Sequence, residues 1–199
     1  MSKRLSNKIE LARKAVHILS NTIIAISFVY LDYSFFITSL VIISSILLIV
    51  DILRFKSIFV QKMYNKFFGF MTRHKERALL TGATYSLLSA SLVCVIFTDE
   101  IIISTLLITG FSDSSAAIFG KYFGKTTINK HKTLEGSLAF IFSGLIIISL
   151  FCHSFFIGLL SLILSCIVEI YSPRFFDDNF TVPLSFSLSY YIGLLIWIS

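Results

Sequence analysis

Seven apolar runs of membrane-span length fill most of this chain and limit it to folds that are embedded in a lipid bilayer. They cover approximately residues 15–31, 35–53, 78–97, 101–120, 137–153, 155–171 and 181–198. A helix needs roughly 20 apolar residues to cross the hydrocarbon core, and lipid offers the backbone no hydrogen-bonding partners, so each run is predicted to be helical. We therefore expect an all-α, polytopic transmembrane bundle of about seven spans that forms a single domain over residues 1–199.

The amino-acid composition favours the same class. Hydrophobic residues make up 56% of the chain, charged residues 14%, and the mean hydropathy is +0.87, far from the balance of a soluble domain. The apolar run from Ala15 to Leu31 is too long for a signal peptide, so we expect it to be the first permanent span. Cys94, Cys152 and Cys166 lie in apolar segments at no metal-like spacing, which favours a packing role. No nucleic-acid partner is expected.

Basic residues are confined to alternate connections between the spans. All 17 Lys and Arg residues lie before the first span or in the segments 54–77, 121–136 and 172–180, and the other turns have none. Cytoplasmic loops of membrane proteins hold the excess of positive charge, so the N-terminus and these segments are predicted to be cytoplasmic. Abundant Phe, Ile, Ser, Lys and Asn beside two Pro residues are typical of an AT-rich genome, so we expect a bacterial cytoplasmic membrane.

Two of these cytoplasmic segments have distinct patterns. Segment 54–77 alternates basic residues with apolar ones such as Phe59, Met63 and Phe67, which is typical of an amphipathic helix that lies on an anionic leaflet. Segment 121–136 is predicted to be a basic cytoplasmic loop. Both predictions concern architecture rather than chemistry.

A stripe of charged side chains leads into the first span. Glu10, Arg13, Lys14 and His17 are spaced so that one helix face presents all four. An acid, two cations and an imidazole on one stripe are able to grip a phosphate chain. The spacing equally fits a basic anchor at the membrane edge with a local Glu–Lys pair, so both interpretations stay open.

Asp113 is the most informative single residue because it lies well inside the fourth span, in the stretch from Gly110 to Ala117. A carboxylate at that depth is costly unless it faces a partner or a cavity, so it is a functional candidate; a structural acid paired with a neighbouring helix is the alternative. Flanking Gly and Ser residues allow the helix to open locally. Asp51 and Arg54, at the end of the second span, indicate a helix-end ion pair.

The stretch 120–126 reads Gly-Lys-Tyr-Phe-Gly-Lys-Thr, which partly resembles a phosphate-binding P-loop. A P-loop needs four residues between its glycines and follows a strand, whereas this stretch has three and follows a membrane helix, so Walker-type binding is rejected. Gly120 and Gly124 still permit close backbone approach, and Lys121 and Lys125 supply positive charge.

Oxygen-bearing side chains recur near the cytoplasmic ends of the last spans, at Glu169, Asp178 and Asn179. Mg²⁺ prefers such ligands and shares its shell with substrate phosphates, although a solvated acidic turn has the same composition. Acids for a metal, cations for phosphates and glycines for close approach would meet at one leaflet. The sequence thus indicates a site for phosphoryl or nucleotidyl transfer to a lipid.

Short motifs follow one another in order over nearly the whole chain. They are Glu10-Leu11-Ala12-Arg13-Lys14 with His17, Glu76 followed by Thr81-Gly82-Ala83-Thr84-Tyr85, Asp113 with Ala116-Ala117, Gly120 and Phe123-Gly124-Lys125, Lys132-Thr133-Leu134-Glu135-Gly136-Ser137, Glu169, and Asp178-Asn179-Phe180-Thr181-Val182-Pro183. In these motifs the chain resembles the CTP-dependent lipid alcohol kinases, a family that includes dolichol kinase, phytol kinase and the yeast-type diacylglycerol kinase. The family usually has Gly before the aspartate, where this chain has Ser112.

The resemblance implies transfer of the γ-phosphoryl group of CTP, the co-substrate, to the hydroxyl of a membrane alcohol such as a polyprenol, dolichol, phytol or diacylglycerol. It also implies Mg²⁺ or another divalent cation. The implied roles are catalysis for Asp113, His17 and Glu135, binding of the nucleotide phosphates for Arg13, Lys14, Gly120, Gly124, Lys125, Lys132 and Gly136, metal binding for Asp113, Asp178 and Glu169, and further site roles for Glu10, Glu76 and Asn179.

Two alternative functions fit the same residues. A phosphatidate cytidylyltransferase also uses CTP and a lipid at this interface, but it transfers the nucleotidyl group and releases pyrophosphate. A small ion-coupled membrane transporter would use Asp113, Glu169 and His17 to relay protons or bind a cation. The outer turns offer few polar residues, which favours an enzyme with a site on one side.

Overall fold

The structure, a computed structural model, describes residues 3–69, 72, 76, 79–129, 132–172 and 177–198, and it is a bundle of helices. The helices are α1 (Lys3–Tyr30), α2 (Tyr33–Lys56), α3 (Ile58–Phe68), α4 (Gly82–Ile96), α5 (Asp99–Leu107), α6 (Asp113–Phe123), α7 (Leu134–Phe151), α8 (Phe155–Tyr171) and α9 (Asp178–Ile198). A π-helical segment, Ile108–Ser112, joins α5 to α6 within one continuous helix. The expected all-α fold is confirmed.

The segment 121–136 is a loop in its middle part alone, which corrects the expectation of a basic loop over its whole length. Helix α6 continues to Phe123 and α7 begins at Leu134. Between them, β1 (Thr127–Asn129) and β2 (Lys132–Thr133) form a small antiparallel hairpin. The side chain of Thr133 ends the hairpin and caps α7 by accepting a hydrogen bond from the Gly136 amide at 3.2 Å.

Four of the described helical stretches are long and apolar enough to cross a membrane. They are Tyr33–Lys56, Asp99–Phe123, Leu134–Phe151 and Asp178–Trp197, and α4 and α8 are shorter apolar helices. Large apolar side chains, including Phe142, Leu160 and Ile196, are exposed on the outside of the bundle, as a lipid-facing surface requires. The chain is therefore a membrane protein; seven spans and a cytoplasmic N-terminus stay predictions.

The segment 54–77 contains the end of α2, the whole of α3 and part of the connection to α4. Residues 70, 71, 73–75 and 77 of this segment lie outside the described part of the chain. Helix α3 has no buried residue, and its apolar side chains, among them Ile58 and Phe59, are exposed. Contact of this helix with the membrane surface remains a prediction.

The helix formed by α5, the π segment and α6 lies at the centre of the bundle. Within its most apolar stretch 67% of residues are buried, against 33% or less in the other three long apolar helices. It packs against α1, α7 and α9, and Leu106 and Ile108 are almost completely buried. Because the central helix contains Asp113, that carboxylate is surrounded by protein rather than by lipid.

Three glycines allow α6 to cross the start of α7 at very short range. A Cβ atom on Gly136 would lie 2.8 Å from the backbone oxygen of Ala116, and one on Gly120 would lie 2.9 Å from Thr133 Oγ1. A Cβ on Gly124 would approach the methyl group of Thr133 to 2.7 Å. The glycines that were assigned to phosphate binding thus have a packing role of the small-residue kind seen between membrane helices.

Replacing Gly136 with Ala should destabilise the bundle because the new methyl group meets backbone that has no room to move. We expect a loss of about 1–3 kcal/mol, the usual cost of overpacking. Gly158→Ala is the matched control, since a Cβ there meets ordinary contacts at 3.4–3.5 Å. Unfolding of both variants in detergent micelles checks this, and equal stability of Gly136→Ala and wild type would contradict the crossing.

Candidate active site

Three carboxylates from three helices converge at one end of the bundle. Asp113 begins α6, Glu169 lies two residues before the end of α8, and Asp178 begins α9. One oxygen from each lies within 4.8 Å of the others. The side chains of Asp113 and Glu169 are 3% exposed and that of Asp178 is 20% exposed, so the cluster is deep on one side and reaches water on the other.

Two lysines neutralise most of this negative charge. Lys14 Nζ of α1 donates to Asp113 Oδ2 at 2.5 Å, inside the protein. Lys132 Nζ, from the hairpin, donates to Glu169 and, at 3.1 Å, to Asp178. Burial lowers the pKa of the Lys132 ammonium, but Asp178, Glu169 and Asp113 outweigh burial and raise this pKa above its ordinary value. Lys132 therefore stays a cation, and each of the two lysines forms a salt bridge with at least one carboxylate of the cluster.

The π-helical segment places Asp113 and is held by His17. Gly110 lies against α1, where an added Cβ would be 3.1 Å from Asn21 Cβ and 3.7 Å from Ile18 Cα. His17 Nε2 lies 3.1 Å from the backbone oxygen of Thr109, which requires the proton on Nε2 because a carbonyl can only accept. His17 Nε2 is 3.9 Å from Asp113 Oδ2, so the imidazole faces the cluster from its edge and orients the helix backbone beside it.

Two buried hydroxyls beside Asp113 lack partners. Among the described residues, Ser112 Oγ and Ser114 Oγ are completely buried and form no hydrogen bond. Native proteins rarely leave such groups unpaired, and bound water or an ion is a common reason. Three carboxylate oxygens within 4.8 Å of one another are a donor set of the hard, oxygen-only kind that Mg²⁺ prefers, so the residues fit a divalent cation.

A second buried network ties α2 to the start of α4. Asp51 Oδ2 accepts hydrogen bonds from the amide and hydroxyl of Thr81, at 2.7 and 3.0 Å, and from the hydroxyl of Thr84 at 2.6 Å. Arg54 lies 3.3 Å from Asp51 Oδ1 and donates to the backbone oxygens of Glu76 and Leu79. The expected Asp51–Arg54 ion pair is present, and it also fixes the chain that precedes α4.

Arg13 connects this network to α1. Its guanidinium lies 3.1 Å from Glu10 and 3.2 Å from Glu76, and Glu76 also accepts from the Gly82 amide at 3.4 Å. The stripe on α1 therefore divides, since Arg13 and Glu10 turn towards Glu76 while Lys14 turns towards Asp113. The four residues of the stripe lie on one helix, but their side chains do not converge on a single site.

Asp177 and Asn179 set the position of Asp178. Asp177 Oδ1 accepts from the Asn179 amide at 3.2 Å and from its side chain at 2.6 Å, which caps the first turn of α9. The Asn179 backbone oxygen accepts from Ser89 of α4. With the start of α9 fixed on both sides, Asp178 is directed towards Lys132.

Some predicted site residues lie outside the carboxylate cluster. Glu135 accepts from the Thr126 amide at 3.1 and 3.3 Å and closes the hairpin loop. Lys125 is exposed beside it. Glu135, for which the resemblance implies a catalytic role, thus lies in the hairpin loop and outside the carboxylate cluster that contains Glu169.

Sequence reasoning missed the capping roles of Thr81, Thr84 and Asp177. Thr81-x-x-Thr84 directly before an apolar run is a signature of a helix start, and so is an acid two residues before Asn179 at the start of the last span. The partner of the first pair, Asp51, is 30 residues away in sequence. No local pattern identifies a partner so distant.

One relative matches most of the chain. The uncharacterized protein RP860 of Rickettsia prowazekii is 32% identical over 160 residues, which are 75% of this chain and 78% of that protein. The chain belongs to the family of that protein. No protein-family model matches the chain, and no solved structure matches it.

More distant relatives have a named activity. The CTP-dependent diacylglycerol kinase 1 of Schizosaccharomyces pombe is 29% identical over 111 residues, 55% of this chain and 49% of the yeast protein. Its namesake in Saccharomyces cerevisiae is 25% identical over 170 residues, 72% of this chain and 59% of the yeast protein. The chain spans about half of these enzymes, and this distant homology supports a lipid kinase in general terms.

Breaking the Lys14–Asp113 pair from one side should cost more than removing it. Lys14→Met leaves a buried carboxylate without its cation, for which we expect a loss of about 3–5 kcal/mol. Adding Asp113→Asn removes that charge and should restore much of the loss. Unfolding in mixed micelles measures both, with Lys121→Met, an exposed lysine, as the control. Strictly additive effects would show that the two groups do not interact.

Proposed function

We propose that this chain is a CTP-dependent lipid kinase that transfers the γ-phosphoryl group of CTP to the hydroxyl of a membrane alcohol. The main observation is the cluster of Asp113, Glu169 and Asp178 with Lys14 and Lys132 at one end of an apolar bundle. The distant homology to two yeast CTP-dependent diacylglycerol kinases supports the same activity. The alcohol itself, whether a polyprenol, dolichol, phytol or diacylglycerol, belongs to the proposal.

The residues present meet the physical needs of phosphoryl transfer. This reaction demands positioning of the two substrates and neutralisation of charge rather than covalent help. Lys132, with 26% of its side chain exposed, is placed to contact phosphate oxygens that arrive from water. A divalent cation held by Asp113, Glu169 and Asp178 would supply further positive charge to the phosphates. Lys14 forms a salt bridge with Asp113 within the bundle.

Asp113 is the residue we assign to the alcohol. As an ionised carboxylate it accepts a hydrogen bond from the hydroxyl and takes its proton as the new bond forms between the alcohol oxygen and the γ-phosphorus. The bond between the γ-phosphorus and the β,γ-bridging oxygen breaks at the same time, and CDP leaves. His17 orients the backbone next to Asp113 through Thr109, so we assign it a positioning role.

The proposed orientation places this end of the bundle at the cytoplasmic face of a bacterial membrane. CTP is soluble and the alcohol is not, so the two substrates can meet at a boundary between water and lipid. Helix α3, with exposed apolar side chains and Lys62 and Lys66, would lie along the surface of the same leaflet. The basic segments of the chain support this orientation.

Purified protein in nanodiscs should transfer labelled phosphate from γ-labelled CTP to a lipid alcohol. Asp113→Asn should reduce transfer by about a thousandfold or more, the scale expected when a group central to transition-state charge and proton transfer is removed. Asp99→Asn is the matched control, because Asp99 is exposed at the opposite end of the same continuous helix.

The products distinguish the proposal from its alternatives. A kinase releases CDP, whereas a cytidylyltransferase given phosphatidate releases pyrophosphate. Full activity in Asp113→Asn would overturn the assignment of Asp113. Intact CTP in the presence of every alcohol tested would overturn the kinase and favour a transporter.

Metal binding should separate Glu169 from Glu135. Glu169→Gln removes a buried ligand of the cluster, so we expect binding of Mn²⁺, used as a spectroscopic probe, to weaken by about tenfold or more. Glu135→Gln should bind Mn²⁺ as the wild type does, since Glu135 contacts Thr126 outside the cluster. Electron paramagnetic resonance of free Mn²⁺ measures both without any turnover. Equal affinity of Glu169→Gln and wild type would place the metal elsewhere.

A further inference from the structure

The ammonium group of Lys132 lies between two carboxylates of the cluster. Its Nζ donates to Glu169 and, at 3.1 Å, to Asp178, and the negative charge of Asp113 also acts on it. The same three carboxylates are the oxygen ligands that fit a divalent cation. Lys132 and a divalent cation would therefore use the same acidic groups.

The two cations compete for these acidic groups. Neighbouring ligands in an octahedral Mg²⁺ shell with bonds of about 2.1 Å lie about 3 Å apart, which leaves no space between them for an ammonium group. Lys132 contacts two of the three carboxylates whose oxygens lie within 4.8 Å of one another. Like charges at such short range also repel each other strongly where water is scarce. Binding of a metal by Glu169 and Asp178 together thus requires the ammonium group to move.

The hairpin that contains Lys132 is held at both strands, so the side chain rather than the backbone is free to move. Asn129 Nδ2 donates to the backbone oxygen of Ile170 at 3.1 Å, and the Leu134 amide donates to the backbone oxygen of Thr126 at 2.8 Å. Lysine has a flexible four-carbon stem, and 26% of this side chain is exposed. The ammonium group can therefore turn towards water while its backbone stays fixed.

Phosphate oxygens give the displaced ammonium group a new partner. A metal that binds alone forces Lys132 to exchange two carboxylate partners for water, which opposes that binding. A triphosphate on the exposed side of the cluster replaces the lost partners, because phosphate oxygens form charge-assisted hydrogen bonds with ammonium groups. The metal and the nucleotide should then strengthen each other's binding by the same factor, since coupling between two ligands is reciprocal.

We propose that Lys132 is a displaceable cation that opposes binding of the free metal and moves from Glu169 and Asp178 to the phosphate chain when the nucleotide and its divalent cation bind. This inference rests on the proposed function and adds the form in which the site takes its nucleotide, as a complex with the metal. Lys132 thus has two successive sets of partners, the carboxylates first and the phosphates afterwards.

Removal of the ammonium group should improve metal binding and impair nucleotide binding. In Lys132→Met we expect Mn²⁺ without nucleotide to bind about tenfold tighter or more, measured by electron paramagnetic resonance of free Mn²⁺. Labelled β,γ-methylene CTP, which cannot transfer its γ-phosphoryl group, should bind about tenfold more weakly to this variant in equilibrium dialysis with Mn²⁺.

Two further variants separate the charge of Lys132 from general effects. Lys132→Arg retains the positive charge between the carboxylates, so it should not tighten Mn²⁺ binding. Lys62→Met removes an exposed lysine of α3 and is the matched control, with both affinities expected to equal those of the wild type. Unfolding in micelles establishes that all three variants are folded.

Reductive methylation follows the ammonium group directly in the wild-type protein. Saturating Mg²⁺ should accelerate methylation of Lys132 several-fold, because the group leaves its two carboxylates and turns to water. Adding β,γ-methylene CTP with Mg²⁺ should slow the methylation again, because the phosphates then cover the group. Lys62, exposed on α3, should react at one rate throughout. Mass spectrometry of the peptides measures both lysines.

These measurements test the exchange separately from the kinase. Equal Mn²⁺ affinity of Lys132→Met and wild type, or methylation of Lys132 that Mg²⁺ does not accelerate, would overturn the exchange even if phosphate transfer is observed. Weaker binding of both Mn²⁺ and nucleotide to Lys132→Met would overturn it as well and would assign Lys132 a structural role. The expected affinities and methylation rates without phosphate transfer to any alcohol would overturn the kinase and leave the exchange standing.

Discussion

The pairing of three clustered carboxylates, two of them buried, with two lysines is the constraint on which the rest of the structure depends. A carboxylate inside an apolar bundle is costly unless a cation lies against it, and here Lys14 and Lys132 approach from elements far apart in sequence. The two lysines bring α1 to the central helix and the hairpin to α8 and α9. The cluster contains three carboxylates and two lysines, and its oxygen ligands fit a further cation.

The surrounding hydrogen bonds and ion pairs hold the carboxylates and lysines of the cluster in position. Asp51 and Arg54 hold the chain before α4, α4 holds Asn179 through Ser89, and the cap on α9 directs Asp178. On the other side, the π segment lets Gly110 approach α1 so that Lys14 reaches Asp113. Hydrogen bonds inside an apolar bundle have no competing water, so such contacts fix geometry even where each one adds little stability.

Much of this arrangement could be predicted from the sequence. The part that could not be predicted is the pairing of residues that are far apart in the chain. The apolar runs predicted the helices. The acidic residues within those runs identified Asp113 and Glu169 as candidate site residues, because a charge buried in lipid is costly. Which lysine meets which acid depends on contacts over 99 residues for Lys14 and 37 for Lys132, and helix periodicity contains no such information. For the same reason the sequence does not show that Glu169 joins the carboxylate cluster while Glu135 contacts Thr126 outside it.

The position of Asp113 between two unlike environments offers a physical reason for a site at this depth. A phosphate chain needs cations and water, while a lipid hydroxyl brings an apolar chain that loses free energy wherever it leaves hydrocarbon. A site wholly in water would expose the alcohol, and one wholly in lipid would strip the nucleotide of its hydration. In the proposed function, Asp113 lies beside the charged groups of Lys132 and Asp178 and inside a bundle whose outer surface is apolar, so each substrate keeps its own solvent until the two reacting atoms meet.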